Sequence, residues 1–159
     1  MVLEEELLIR KIREGTVIDH IPAGRALKVL SIIGLTGGEG MVIALVMNAP
    51  SQKLGRKDLV KIEGRFLAPR EVDKIALIAP SATINVIRDY KVASKRKVEL
   101  PEVIKGLLKC PNPDCVTNQP GEPIDSLFKT ISRSPLRLVC QYCGEAVSEE
   151  EVMGLLTKG

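Results

Sequence analysis

At 159 residues and 45% hydrophobic content, the chain can build one ordinary domain or two small ones, which excludes wholesale disorder. The net charge of +3 is unevenly shared: residues 1–100 carry 17 Lys plus Arg against 12 Asp plus Glu, and residues 101–159 carry 6 against 8. An anionic ligand therefore suits the first half better, while aromatics at 3% and no Trp leave a base-stacking surface little to use.

The start, "MVLEEELLIRKIREG", is charged and lacks a secretion-signal pattern, and no apolar run approaches the roughly 18 residues of a membrane span. The expected location is cytoplasmic. In "GTVIDHI", Gly15 precedes a β-branched run that predicts a strand over 15–21. Pro22 suits the first turn of a helix over 22–35, with Ala26, Leu27, Leu30 and Ile33 at helical spacing. "GGEG" at 37–40 is a turn, and "MVIALVMNAP" predicts a strand over 41–50. Strict alternation in "GRKDLVKIEG" predicts a half-exposed strand over 55–64, with Val60 and Ile62 on one face and Leu59, Lys61 and Glu63 on the other. A helix over 68–80, with Val72, Ile75 and Ala76 on its apolar side, and a final strand over 82–94 complete the first half.

The order β-α-β-β-α-β predicts a ferredoxin-like, split βαβ architecture: an open antiparallel sheet with two helices on one face. Residues 95–109 form the junction, where Pro101 ends the strand and a short helix in "PEVIKGLL" leads into the first cysteine. The overall expectation is an α+β chain with two domains, 1–100 and 101–159, the second a small zinc-ribbon, rubredoxin-like β domain.

Four cysteines carry that second domain: Cys110-x4-Cys115, then 24 residues, then Cys140-x2-Cys143. Disulfides suit an oxidising compartment, for which the sequence offers no sign. Two short knuckles separated by a couple of hairpins are the arrangement that wraps four thiolates around Zn²⁺. Four cysteines fill a tetrahedral shell and leave no position for water or substrate, so zinc hydrolysis is not expected. A domain this small gains its stability from the metal instead, on the order of 10 kcal/mol in zinc-finger peptides. Between Cys110 and Val147 the charged residues are Lys129, Arg133 and Arg137 against Asp114, Glu122, Asp125 and Glu145. That balance is poor for phosphate binding, and a protein-docking ribbon fits better than a nucleic-acid reader.

In the basic half, Asp19 precedes the only histidine, His20. On strictly alternating strand faces the two point opposite ways, and no nucleophile completes a catalytic set nearby. Arg56, Lys57, Lys61, Lys91, Lys95, Arg96 and Lys97 form a basic cluster that reads as a solvated face unless its strands converge on Asp19. If they converge, the lysines suit phosphates and the carboxylate suits ribose hydroxyls. With neither a P-loop nor a GxGxxG, such a nucleotide would be bound rather than turned over.

"GTVIDHIPAG", "LGRKDLVKIE", "FLAPREVDKIALIAPSATINVIRDYKV", "LPEVIKGLLKCPNPDCV" and "LVCQYCGEAVS" together resemble the regulatory chains of aspartate carbamoyltransferase, over nearly the whole length and in family order. The resemblance implies a noncatalytic chain of pyrimidine biosynthesis, with an allosteric domain binding CTP, ATP and possibly UTP, and a zinc domain contacting a separate catalytic chain. By matching position, it implies Asp19 for the ribose, His20 and Lys95 for the phosphate side, and Lys61 near both. Ile12, Leu59, Asn85, Ile87, Tyr90 and Val92 would surround the base. Cys110, Cys115, Cys140 and Cys143 would hold one structural zinc. It further implies a regulatory homodimer and a dodecamer of two catalytic trimers and three regulatory dimers, with neither nucleic acid nor membrane as partner. The alternative reading is a zinc-ribbon nucleic-acid-binding protein.

Overall fold

The structure, a computed structural model, describes residues 11–121 and 123–156. Its first half is a five-stranded sheet of β1 (Glu14–Pro22), β2 (Ile43–Ser51), β3 (Gly55–Glu63), β4 (Thr83–Arg88) and β5 (Lys91–Lys97), in the order β2-β3-β1-β4-β5 with every neighbouring pair antiparallel. Helix α1 (Ala26–Ile32) joins β1 to β2, and α2 (Pro69–Ile78) joins β3 to β4, which gives the expected split βαβ units. The second half is a four-stranded antiparallel sheet of β6 (Val103–Lys105), β7 (Leu127–Arg133), β8 (Leu136–Cys140) and β9 (Ala146–Ser148), in that order, followed by α3 (Glu149–Leu155).

Alternation sorts the first sheet into two faces. Ile18, Val60, Ile62 and Ile84 are buried in one core with Val29 and Leu30 of α1 and Ile75 and Leu77 of α2. Leu27, expected on the apolar side of α1, is 62% exposed; Val29 and Ile32 take the buried positions with Ala26 and Leu30. Pro69 opens α2, and Glu71 turns back so that its carboxylate accepts the Ala68 N–H at 2.9 Å.

Two further expectations are corrected. The stretch 82–94 is not one strand but a hairpin, because Asp89 and Tyr90 take φ of 52° and 65° and reverse the chain between β4 and β5. Such a turn needs positive φ at both central residues, and the usual glycine signal is missing from "RDYK". The short helix expected in "PEVIKGLL" is strand β6, since Val103, Ile104 and Lys105 pair with Lys129, Phe128 and Leu127. One or two turns of helix cannot compensate for nucleation, whereas a strand gains a ready partner. Helix α3 carries no earlier expectation; Ser148 and Glu151 cap it reciprocally.

One core runs through both halves, from Ile18 and Ile75 through Leu100 and Ile104 to Phe128, Leu138 and Val152. Arginines add bonds across the junction: Arg70 Nη2 donates to Gly106 O at 2.7 Å, Arg133 Nη1 to Leu100 O at 2.9 Å, and Arg25 Nη2 lies 3.7 Å from Glu149 Oε2.

Gly15 of β1 lies opposite Glu63 of β3. Its φ is +147°, and a Cβ there would lie 2.1 Å from Ile62 O. Gly15→Ala is therefore expected to cost about 2–3 kcal/mol, from strain and overpacking together. Urea denaturation measures this, and an unchanged midpoint would show that the strand crossing relaxes freely.

Candidate functional site

The helix-free face of the first sheet gathers the polar residues that the sequence scatters. A cross-strand row runs Ala44, Lys61, Val17, Asn85, Lys95 over β2, β3, β1, β4 and β5. Lys61 and Lys95 stand three strand spacings apart, about 14 Å, on either side of Val17 and Asn85. The neighbouring row holds Asp19, Thr83 and Lys97.

Asp19 and His20 do not keep the alternation expected of them. The pairing of β1 with β3 shifts between Ile18 and Ile21, and His20 takes a φ of 56°. The bulge brings His20 Nδ1 within 3.1 Å of Thr83 Oγ1, on the cross-strand partner of Asp19. Asp19 Oδ1 accepts the His20 backbone N–H at 2.6 Å and lies 2.9 Å from Lys57 Nζ. Burial pushes the Asp19 carboxyl upward, but the Lys57 hydrogen bond, the His20 N–H and the adjacent charges outweigh it, so its pKa lies below the ordinary carboxylate value. Burial lowers the pKa of Lys61, against the opposing pull of Asp19.

At the other end of the face, a recess of about 510 Å³ is lined by Lys11, Ile12, Val42, Ala44, Lys61, Glu63 and Tyr90, among others. Ile12 is buried and Tyr90 exposed. Ile87 is buried opposite Gly15 and pairs with the exposed Val92, while Leu59 lies opposite the β1 bulge. The structure thus brings Ile12, Lys61 and Tyr90 into one recess and leaves Asp19, His20 and Lys95 outside its lining. All but Lys11 of the N-terminal arm's first eleven residues lies outside the described residues. Lys57, named in the sequence as part of the basic cluster, is the member of it that reaches Asp19, and Thr83, beside His20, is the neighbour that the sequence did not single out.

The second site lies in the C-terminal half. Cys110 and Cys115 follow β6, Cys140 ends β8, and Cys143 sits in the turn toward β9. Their four sulfurs lie within 4.8 Å of one another, with Cys110 Sγ to Cys143 Sγ at 3.6 Å and Cys115 Sγ to Cys140 Sγ at 3.8 Å. A tetrahedron with metal–sulfur bonds of about 2.3 Å has edges of about 3.8 Å, which the two closest pairs already match, so the set fits a four-thiolate metal shell. Asn118 Nδ2 donates to Cys110 O at 2.9 Å and Asn112 O at 2.7 Å, which shapes the first knuckle, and Thr117 Oγ1 donates to Cys115 Sγ at 3.2 Å. In the second knuckle Gly144 N donates to Cys140 O at 2.9 Å. Burial pushes the Cys110 and Cys140 thiols up. For Cys143 the small burial effect is outweighed by the Glu145 N–H, Asn112 and the neighbouring thiols, which bring it to about 7.

These features define a class: a ferredoxin-like sheet with a polar open face, fused to a ribbon whose four cysteines can hold one metal ion. Among the described residues no helix is long and apolar enough to cross a membrane. A family model described as the allosteric domain of the aspartate carbamoyltransferase regulatory chain matches residues 7–99, and one described as that chain's metal binding domain matches residues 102–153. The chain is 67% identical to the aspartate carbamoyltransferase regulatory chain of Thermofilum pendens over 97% of both sequences. It is 61% identical to that of Korarchaeum cryptofilum over 98% of this chain and 99% of the relative, and 62% identical to that of Hyperthermus butylicus over 96% of both. The chain belongs to the family of aspartate carbamoyltransferase regulatory chains, proteins with a regulatory rather than a catalytic role.

Metal loading requires thiolates, so affinity falls on acidification. Above about pH 7 Cys143 is already ionised, and each metal ion then displaces one proton fewer than below it. A plot of log affinity against pH, from chelator competition, should lose about one decade per pH unit of slope on crossing 7. A slope constant from pH 6 to 8 would rule out the low Cys143 pKa.

Proposed function

We propose that the chain binds a nucleoside triphosphate effector, CTP or ATP with UTP a further candidate, on the open face of its first domain and conveys that binding to a catalytic chain docked on its second. The observation that carries this reading is the cross-strand row in which Lys61 and Lys95 flank Val17 and Asn85, with Asp19 and His20 beside it. Lysines supply charge for phosphates, and an ionised carboxylate accepts from ribose hydroxyls. The recess by Ile12 and Tyr90, with apolar and charged residues in its lining, suits a base, with Leu59, Asn85, Ile87 and Val92 on the surrounding face. In this division of labour residues 1–100 receive the effector and residues 101–159 hold the metal and dock.

The metal is proposed to be zinc, because four sulfurs at tetrahedral spacing match its preference and leave no open catalytic position. The outer face of the second sheet exposes Val103 and Ile131, which favours a protein partner over nucleic acid. That partner is the catalytic chain of aspartate carbamoyltransferase, in a cytoplasmic assembly of two catalytic trimers and three regulatory dimers.

The two sheet edges differ in a way that suits such a dimer. Edge strand β5 is exposed throughout and carries Lys91, Lys95, Arg96 and Lys97, a defence against strand pairing. The other edge, β2, has Val42 at 63% exposure at its start with Met41 and Met47 nearby, and it is the edge fitted to a second copy. Effectors would act by binding one state of the assembly more tightly than another.

Mixing the purified chain with its catalytic partner should yield an assembly whose aspartate saturation curve shifts with CTP or ATP. Failure to associate with zinc present would sink the reading, and binding to DNA or RNA that weakens steeply with salt would favour the zinc-ribbon alternative. Lys95→Ala should weaken CTP binding by about 1–3 kcal/mol in calorimetry, the size of a charge-assisted contact. Unchanged affinity would remove Lys95 from the phosphate site.

A further inference from the structure

Asp58 is fully buried in β3, between the two strands whose registers break. On one side, β1 pairs Ile18 with Val60 and then Ile21 with Asp58, so Asp19 and His20 crowd opposite Leu59. On the other, β2 pairs Val46 with Leu59 and then Ala49 with Lys57, so Met47 and Asn48 crowd opposite Asp58. Both bulges hold a non-glycine residue at positive φ, His20 at 56° and Asn48 at 62°. Such residues are strained and persist only where their surroundings over-determine them.

The Asp58 carboxylate supplies that over-determination. Its Oδ1 accepts the N–H of Asn48 at 2.9 Å, and its Oδ2 accepts those of Gly24 at 2.8 Å and Ala26 at 3.0 Å. One buried side chain thus ties the β2 bulge to the turn that follows the β1 bulge. Without that turn, a one-residue slip of β1 would restore plain alternation and send Asp19 and His20 to opposite faces.

We propose that Asp58 is the positioning residue of the effector face: its carboxylate, bonded to Gly24, Ala26 and Asn48, locks the paired bulges that hold Asp19 and His20 side by side toward the ligand. The proposal rests on reading that face as the effector site. Asp58 itself touches no ligand and acts through Asp19 and His20.

The test uses the full-length, metal-loaded chain and Asp58→Asn, which keeps the shape but replaces one acceptor oxygen with a donor facing an N–H. His20 is the only histidine, so its imidazole ¹H–¹⁵N resonances report the bulge without ambiguity. Asp58→Asn should move those resonances and raise the dissociation constant for CTP at least tenfold. In an Asp19→Ala, His20→Ala background the same change should cost less than a further twofold, because it acts through residues already removed. Thr16→Val is the control for general destabilisation: Thr16 is equally buried, and its hydroxyl donates to Arg65 O on the helix side of β1. It should leave the His20 resonances and CTP affinity within twofold of the unmodified chain.

If Asp58→Asn does not fold, hydrogen exchange on the unmodified chain decides: CTP should slow exchange of the Gly24, Ala26 and Asn48 amides. Unchanged protection of all three while CTP binds would overturn the proposal, as would full additivity with the Asp19→Ala, His20→Ala pair or unmoved His20 resonances. Failure of the unmodified chain to bind CTP would instead overturn the effector reading, with the His20 resonances still judging the role of Asp58.

Discussion

Ile18, Val60, Ile62 and Ile84 are sealed from water beneath α1 and α2, and the two-residue period of a strand then forces Val17, Lys61, Asn85 and Lys95 onto the opposite face. That sidedness decides where chemistry can occur. The helix side is spent on apolar packing, and the other side can carry lysines and a carboxylate at modest desolvation cost. At Asp19 and His20 the alternation itself breaks. It breaks at a bulge whose neighbours are bonded to the carboxylate of Asp58, buried in the middle of the sheet.

The C-terminal half solves a different problem. Its strands β6 and β9 are only three residues long, and its apolar centre is a small set, Ile104, Leu107, Leu108, Phe128, Leu136, Leu138, Val147 and Val152. Four sulfurs at tetrahedral spacing join the 110–115 loop to the turn at 140–143, fastening segments that hydrophobic burial alone holds weakly. The same closed shell that stabilises the ribbon denies it a catalytic position, and the family's regulatory role accords with that chemistry.

The two halves are close-coupled. Gly24 and Ala26, both bonded to Asp58, flank Arg25, whose guanidinium donates to Ile78 O at 2.6 Å and approaches Glu149 in the second half. Arg70 and Arg133 bond backbone carbonyls at the junction, and the apolar core crosses it without a break. The physical connection from the open face to the metal-holding ribbon is therefore a short run of bonded groups.

Periodicity, turn residues and cysteine spacing were enough, from the sequence alone, to specify the split βαβ order, the inward Val60 and Ile62, and the four-thiolate set, because each is a local pattern that packing or a metal's geometry rewards directly. Likeness to known chains added which polar residues to watch. Tertiary structure decided what depends on partners distant in sequence. Val103 to Lys105 became a strand because β7 offers free backbone groups, and residues 82–94 became a hairpin because Asp89 and Tyr90 accept positive φ without a glycine to announce it. Asp19 and His20 leave strict alternation at a bulge, and the turn that follows it is bonded to a buried carboxylate 38 residues beyond His20 in the chain. No local pattern records such a contact, since its energy comes from desolvated hydrogen bonds that exist only once three strands have been assembled.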